Sequence, residues 1–382
     1  MYVLAALSGR GVVCSSQKFG CKLGVMDVFG DKDCQISAAF WRHIGTCVPG
    51  QTVIDSEKFL SSLSVFKING FKGLVIGSGF EGKYDLLRRA NEILPLYASP
   101  LSVFSYLESP VLFFETLKLL EVPFPQVNLS ADSFEELGPD WILKDLGSSG
   151  GLGIKKQTGR KSKSSEYFQK RLPGTTVSLS FFADGQNVVP LGYSKPVATS
   201  QSNLPFVFCG LDGPIELIDS VAQEALKISK LIVHKFKLRG YNGIDFLVSD
   251  RSVQFLDLNP RITASFEILQ ESHSFCFFEK HIHLTSDIPG NTCISESFPA
   301  MQKKIISGFR VIYAESDFYM NERCQKSLFN NKFLTNIPNS KYFFKKYEPV
   351  CSVFLRSNSM LELQRALDDK VDFVYNKLSQ LT

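Results

Sequence analysis

The stretch from Gly243 to Glu267, Gly-Ile-Asp-Phe-Leu-Val-Ser-Asp-Arg-Ser-Val-Gln-Phe-Leu-Asp-Leu-Asn-Pro-Arg-Ile-Thr-Ala-Ser-Phe-Glu, constrains the fold more than any other. Two apolar segments, Ile244 to Val248 and Val253 to Leu258, flank the polar break Ser249-Asp250-Arg251-Ser252. That is the pattern of two short strands joined by a tight turn. In such a hairpin Asp245 and Asp257 can lie side by side, and Asn259 points to the same face as Asp257 because strand side chains alternate with period two. Two carboxylates and an amide oxygen are hard donors of the kind that suit Mg2+, which completes its shell with water and nucleotide phosphates. Arg261 follows on the loop, where a guanidinium can hold a phosphoryl group or a substrate carboxylate. An ordinary surface hairpin with solvated acids fits the same residues, so the rest of the chain has to decide.

Upstream, the apolar run at residues 2–7 ends at Ser8-Gly9-Arg10-Gly11, a segment able to be helical follows, and a second apolar run ends at Asp27 and Asp31. Strand, glycine turn, helix and acid-ended strand open a doubly wound α/β unit. No G-x-G-x-x-G is present, so no dinucleotide cofactor is expected. Gly73 to Gly77 reads as a further strand stopping at Ser78-Gly79-Phe80-Glu81. Ligands of open α/β sheets sit outside the carboxyl ends of strands, so the two glycine turns, with Ser8, Arg10 and Glu81, are candidates to edge one crevice. The same glycines could serve only to relieve backbone strain.

A boundary is expected near residue 105, before a helix at Val111 to Glu121 that Pro123 and Pro125 close. Then Trp141-Ile-Leu-Lys144 reads as a strand running into Gly147-Ser148-Ser149-Gly150-Gly151-Leu152-Gly153. Glycines let a loop bring its N-H groups close to phosphates, and Lys144 adds a point charge for the same oxygens, although such a loop on its own can be merely flexible. It is no Walker loop, because the G-K-[ST] ending is absent. Val177 to Gly185 reads as a strand with an Asp-Gly turn, and Ser220 to Leu238 as a helix with apolar positions Val221, Ala225, Ile228, Ile232 and Phe236, stopped at Arg239-Gly240. Short strands at Gly308 to Ala314 and Val350 to Leu355 and a last helix from Ser359, with Glu362 in capping-box spacing, suggest a small α+β cap.

The 382 residues exceed one core, and a net charge of +4 sets no expectation of nucleic acid. Only Lys155, Lys156, Arg160, Lys161 and Lys163 form a basic run, a solvated loop or a source of potential near a polyphosphate. Nine cysteines without C-x-x-C argue against a disulfide framework and a zinc site and for a reducing compartment. His281-x-His283 lacks a third ligand in register and reads as surface or satisfied core. The start, Met-Tyr-Val-Leu-Ala-Ala-Leu, lacks the basic and apolar regions of a signal peptide, and no uncharged apolar window reaches eighteen residues, so a cytoplasmic protein without membrane contact is expected.

The order of these parts, with Gly240-x-x-Gly243-x-Asp245-Phe246 and Asp257-x-Asn259-Pro260-Arg261 as the specific motifs, resembles the ATP-grasp superfamily of carboxylate-amine ligases over nearly the whole chain. Ser8-Gly-Arg10, Asp27-x-Phe-Gly-Asp31, Gly77-Ser-Gly-Phe-Glu81 and Pro349-Val-Cys-Ser-Val look most like the branch with tyramine-glutamate ligases of methanofuran-type cofactor synthesis. The pyrrolysine-pathway ligases and biotin carboxylase are more distant. The resemblance implies an ATP-grasp fold of α/β and α+β parts: an N-terminal doubly wound domain over 1–104, an ATP-grasp domain over 105–298 in lobes 105–155 and 156–298, and a C-terminal cap over 299–382. It also implies an ADP-forming enzyme using ATP and Mg2+, with Mn2+ as the alternative ion, to join small-molecule carboxylate and amine substrates through an acyl phosphate.

In that scheme Lys144 contacts the phosphates, Ser148, Ser149, Gly150, Gly151 and Gly153 fold over them, and Gln169, Lys170, Arg171 and Leu172 form the adenine hinge. Asp245, Asp257 and Asn259 hold the metal, and Arg261 steadies the transferred group. Ser8, Arg10, Glu81, Thr263, Ser265 and Glu267 are candidate substrate contacts, the last three reading equally as a polar helix start. The chain departs from the superfamily pattern at Asp257, where Glu is common, and at Gln169, where the hinge has Glu. No acid follows Gly174 for the ribose, so Thr176 or Ser178 stands in, and Lys118 falls too late for the usual helix-start lysine. Competing readings are a non-catalytic nucleotide-binding regulator and a biotin-carboxylase-like carboxylation enzyme.

Overall fold

A computed structural model describes residues 1–48, 51–129, 137–156, 165–199, 205–250, 252–286 and 305–381. The two N-terminal apolar runs become the adjacent parallel strands Tyr2–Ala6 and Leu23–Asp27, with Leu74–Ile76 and Phe40–His43 outside them. Alternation sends Leu4, Val25 and Val75 into one core with Val12 and Val13 of helix Arg10–Gln17. Val3, Ala5 and Met26 point the other way, onto helices Ser56–Ile68 and Tyr84–Ile93. A strand buried on both faces has to be apolar almost throughout, as these runs are. Their carboxyl ends lead into the glycine turns at 8–11 and 77–82.

Beyond helix Pro110–Leu119 lies a small antiparallel sheet ordered Val127–Asn128, Glu166–Lys170, Trp141–Asp145 and Lys155–Lys156. Ser109 caps the helix, accepting from the Leu112 N-H at 3.4 Å. Lys155 and Lys156 are exposed, whereas Arg160, Lys161 and Lys163 of the basic run fall outside the described residues.

An eight-stranded antiparallel sheet dominates the rest, ordered Ser252–Asn259, Arg239–Ser249, Thr175–Asp184, Val188–Ala198, Phe208–Ile215, Ile306–Tyr313, Pro349–Ser357 and Leu334–Thr335. The C-terminal strands thus extend the same sheet that carries the hairpin. One face packs on helix Asp219–Phe236, whose five apolar positions Val221, Ala225, Ile228, Ile232 and Phe236 are all buried. Lys237 at φ 53 caps that helix in the left-handed region and turns the chain directly into strand Arg239–Ser249. On the other face, Tyr241, Phe266, Phe277 and Phe309 join the core of Leu4 and Val25, so the N-terminal sheet and the central sheet share apolar contacts. The last helix, Met360–Leu381, buries Leu363, Leu367, Val374 and Leu378 against Ile312 and Val353.

Among the described residues, no helix is long and apolar enough to cross a membrane.

Candidate active site

Register decides the centre of the site. In the hairpin Asp245 stands directly opposite Asp257, and Gly243 opposite Asn259. Phe246 pairs with Phe255, so Leu256 is the extra residue of a bulge beside Asp257. The Ser178 hydroxyl donates to Asp245 Oδ1, and Asn259 donates from Nδ2 to Asp245 Oδ2 at 3.4 Å. Burial and then the facing Asp257 carboxylate push Asp245 up to about 6, outweighing Ser178, Lys144 and Arg261, which favour its charged form. Asp257 also rises above the usual carboxylate range, chiefly through burial. The Asp257 side chain is exposed on the wall of the cavity, so its rise is smaller than that of the half-buried Asp245. Two like charges facing each other here raise each other's pKa even with Lys144 and Arg261 nearby, and a hard cation between them would favour both charged forms.

Lys144, near the end of strand Trp141–Asp145 in the small sheet, reaches across to this pair. Its Nζ donates to the Leu256 carbonyl at 3.2 Å and lies 5.7 Å from the centre of the Tyr167 ring. Burial works against the ammonium, but Tyr167, Asp257 and Asp245 hold its pKa above the ordinary lysine value, so it is a fixed positive charge at neutral pH.

The glycine-rich loop folds back over the same crevice. Gly147 N-H donates to Asp145 Oδ1 at 3.0 Å, and the Gly150 carbonyl accepts from Phe208 N-H at 2.9 Å. Gly151 has φ +75, and a Cβ there would stand 1.9 Å from the Phe206 carbonyl oxygen. Only glycine allows so close an approach of two backbones.

Arg261 is buried and triply held: its Nη2 donates to Asn259 Oδ1 at 2.8 Å, its Nη1 donates to the Ile262 carbonyl at 3.2 Å, and it pairs with Glu81. Glu81 is fixed in turn by the Gly79 N-H at 2.7 Å. Thus the turn after the last N-terminal strand positions the guanidinium of the hairpin loop. Arg10 and Glu267, both buried, form a two-pronged ion pair, with Arg10 Nη2 2.6 Å from Glu267 Oε2. The Ser265 hydroxyl bonds those of Thr263 at 2.7 Å, Ser180 at 2.6 Å and Tyr241 at 3.0 Å.

These groups line one cavity of about 660 Å3. Of the sequence-selected residues, Lys144, Ser148, Ser149, Gly150, Gly151, Gly153, Asp245, Asp257, Asn259, Arg261, Ser8, Arg10, Glu81, Thr263, Ser265 and Glu267 all reach its wall, as do Thr176 and Ser178. Gln169, Lys170, Arg171 and Leu172 are not brought to it. There the Lys170 and Arg171 N-H groups already donate to the carbonyls of Gln126 at 2.8 Å and Asp140 at 2.6 Å. Gln169 is nonetheless buried, and its Nε2 has no partner among the described residues, on the same strand face as cavity-lining Tyr167.

Sequence reasoning missed Asp31 and Asn336 as wall residues. Asn336 Nδ2 donates to Asp31 at 2.7 Å and to Ser8 at 3.1 Å. Burial and the nearby Asp27 carboxylate push Asp31 up to about 8. A separation of 305 residues leaves no local signal that could have joined the two. His281, by contrast, is core: its Nδ1 accepts from Tyr241 N-H at 2.9 Å and its Nε2 bonds the Tyr97 carbonyl at 2.9 Å.

Comparison with known proteins adds the following. Residues 109–265 match the model of the ATP-grasp domain. Over 127 residues the chain is 25% identical to an uncharacterised protein of Methanocaldococcus jannaschii, a match spanning 33% of this chain and 29% of that relative. Biotin carboxylase of Campylobacter jejuni, in a β-γ-ATP complex, superposes with TM-score 0.67 at 12% identity, covering 94% of this chain and 88% of its own. Carboxyaminoimidazole ribonucleotide synthase of Aspergillus clavatus, complexed with ATP, gives 0.67 at 14%, covering 97% and 98%. The N5-carboxyaminoimidazole ribonucleotide synthetase of Thermus thermophilus gives 0.64 at 14%, covering 100% and 98%. At these identities the likeness is one of fold.

Proposed function

We propose that this chain, which has the ATP-grasp fold and carries an ATP-grasp domain over residues 109–265, is an ADP-forming ligase that uses ATP with Mg2+ or Mn2+ to join a carboxylate to an amine. The observation that carries the reading is the Asp245–Asp257 pair, two facing carboxylates held above their ordinary acid range beside Lys144 and Arg261. The donor set fits a hard divalent ion: Asp245 and Asp257 would hold it, with the Asn259 amide beside them. Such an ion supplies charge neutralisation for phosphoryl transfer.

In this scheme a substrate carboxylate oxygen bonds to the γ-phosphorus of ATP as the bond to ADP breaks. The amine nitrogen then bonds to the acyl carbon as the carbon-oxygen bond breaks and phosphate leaves. Lys144 and Arg261 keep fixed positive charge where negative charge develops, and Glu81 holds Arg261 in place. The loop Ser148–Gly153 presents N-H groups to phosphates and excludes water. The Gln169 Nε2, without a partner among the described residues, marks the strand face on which an adenine acceptor would satisfy a buried donor. The adenine role of Gln169–Leu172 requires that this segment open toward the cavity on nucleotide binding.

All three proposed units, 1–104, 105–298 and 299–382, contribute to the wall, so both substrates would be enclosed between them. Asp31, with Phe29, Tyr313 and Tyr347 also on the wall, suits an amine with an apolar or aromatic body, because an ammonium beside Asp31 favours its charged form. That surround and the Asp27-x-Phe-Gly-Asp31 motif support placement near the tyramine-glutamate ligase branch.

The test is ADP release by the purified chain over a matrix of carboxylates, bicarbonate included, and amines, with and without Mg2+. Release that needs one acid, one amine and the metal supports the ligase. Release with bicarbonate alone, or nucleotide binding without release under any pair, rejects it.

A further inference from the structure

Outside the cavity, two helix ends meet in a way the ligase reading does not use. Cys21 lies between helix Arg10–Gln17 and strand Leu23–Asp27, while Cys276 is the N-cap of helix Phe277–Thr285 and Glu279 lies in that helix's first turn. Both sulfurs and a Glu279 carboxylate oxygen lie within 4.8 Å of one another. Cys276 is buried, Cys21 half-buried and Glu279 exposed, so the sulfurs sit inside and the oxygen at the solvent edge. Neither cysteine forms a disulfide.

The Glu279 and Phe278 N-H groups, unsatisfied by the helix itself, point at the Cys276 sulfur. Two sulfurs and a carboxylate oxygen this close together form a donor set that one cation can share. Ligand atoms around a tetrahedral Zn2+ stand roughly 3.5 to 3.8 Å apart given the usual bond lengths, so these three need only small side-chain movements to close on one ion. Sulfur donors also separate this site from the all-oxygen hairpin, since soft ligands select Zn2+ and its relatives over Mg2+.

We propose that Cys21, Cys276 and Glu279 form a binding site for a divalent transition metal of the Zn2+ class, with two sulfur ligands, one oxygen ligand and a fourth position open to solvent. Bound there, the ion clips the turn before strand Leu23–Asp27 to the helix that packs on strand Arg239–Ser249, the strand of Asp245. The site stands independently of the ligase reading.

The test uses the full chain, reduced and metal-stripped, titrated with Co2+ in saturating Mg2+. One equivalent producing a thiolate-to-cobalt charge-transfer band, bleached by Zn2+ and absent in both Cys276→Ser and Cys21→Ser, is the expected result. Glu279→Gln keeps the band but needs more Co2+ to reach it. The variants are compared by thermal unfolding in the absence of metal, where an unchanged transition separates lost ligation from lost folding. No band in the reduced parent, or a band that survives in either serine variant, overturns the proposal. Isolation of a Cys21–Cys276 disulfide in the presence of excess Zn2+ does so as well, in favour of a redox link.

Discussion

Asp245 allows the energetics of the hairpin to be tested without knowledge of any substrate. Its pKa of about 6 against the ordinary 3.8 is a difference of about two, which at ~1.4 kcal/mol for each corresponds to ~3 kcal/mol. The folded value lies above the unfolded one, so the native state holds a proton that the unfolded chain releases. The penalty is therefore absent below pH about 4, grows through the interval to about 6, and is complete above it. Asp245→Asn keeps an acceptor for the Ser178 hydroxyl but carries no charge, so the penalty disappears. Solvent in the cavity screens part of it, leaving a gain of ~1–3 kcal/mol at pH 8, or a rise of roughly 1–4 °C in Tm for a chain of this length. Ligand binding moves the other way. Mg-ATP at a hundred times its Kd stabilises the parent by ~2.7 kcal/mol, and the variant loses most of that. Thermal unfolding from pH 4 to 8, with and without Mg-ATP, reads both effects. A variant less stable than the parent at pH 8, or a gap as large at pH 4 as at pH 8, refutes the reasoning.

Three further outcomes are expected. Gly151→Ala places a Cβ 1.9 Å from the Phe206 carbonyl at φ +75, so the loop must move off Phe206–Phe208. Its left-handed backbone alone costs ~1–2 kcal/mol, and calorimetric ATP affinity should fall about tenfold or more. Arg10→Ala strands the buried Glu267 carboxylate and should cost ~3–5 kcal/mol in denaturant unfolding, most of it recovered by Arg10→Met with Glu267→Leu. Lys144→Met removes the fixed charge beside the carboxylate pair; ATP turnover should drop about a hundredfold or more while far-ultraviolet circular dichroism stays that of the parent.

Local periodicity made much of this chain legible. The polar break made the hairpin and its register from Ser249–Ser252 to Phe246–Phe255 readable, but that register continued unbroken would set Asp245 opposite Leu256, and it is the bulge that brings Asp257 opposite Asp245. Helix Asp219–Phe236 was readable for the same reason, from five apolar residues at helical spacing. The Leu256 bulge was not, since nothing in the local pattern distinguishes an extra strand residue from a paired one.

Long-range partners carried no signal at all. Arg10 meets Glu267 across 257 residues, and this pairing engages two of the candidate substrate contacts with each other. Ser359 caps the last helix by accepting from the Glu362 N-H at 3.5 Å, yet the Glu362 carboxylate accepts from Ser357 at 3.2 Å instead of returning a capping-box bond. Spacing therefore located the cap but not its reciprocal half. The hinge candidates Gln169–Leu172 straddle the end of strand Glu166–Lys170, and the capture of the Lys170 and Arg171 N-H groups by Gln126 and Asp140 depends on how neighbouring segments dock.

The central claim is that a carboxylate oxygen becomes bonded to the γ-phosphorus before the amine attacks. With the acid identified by the ADP screen and labelled with 18O in its carboxylate, mass spectrometry of the released phosphate tests this most directly. One labelled oxygen in each phosphate, formed in step with ADP and amide and abolished in Asp257→Ala, is the predicted result. Phosphate carrying only unlabelled oxygen, with ADP still released, would contradict it.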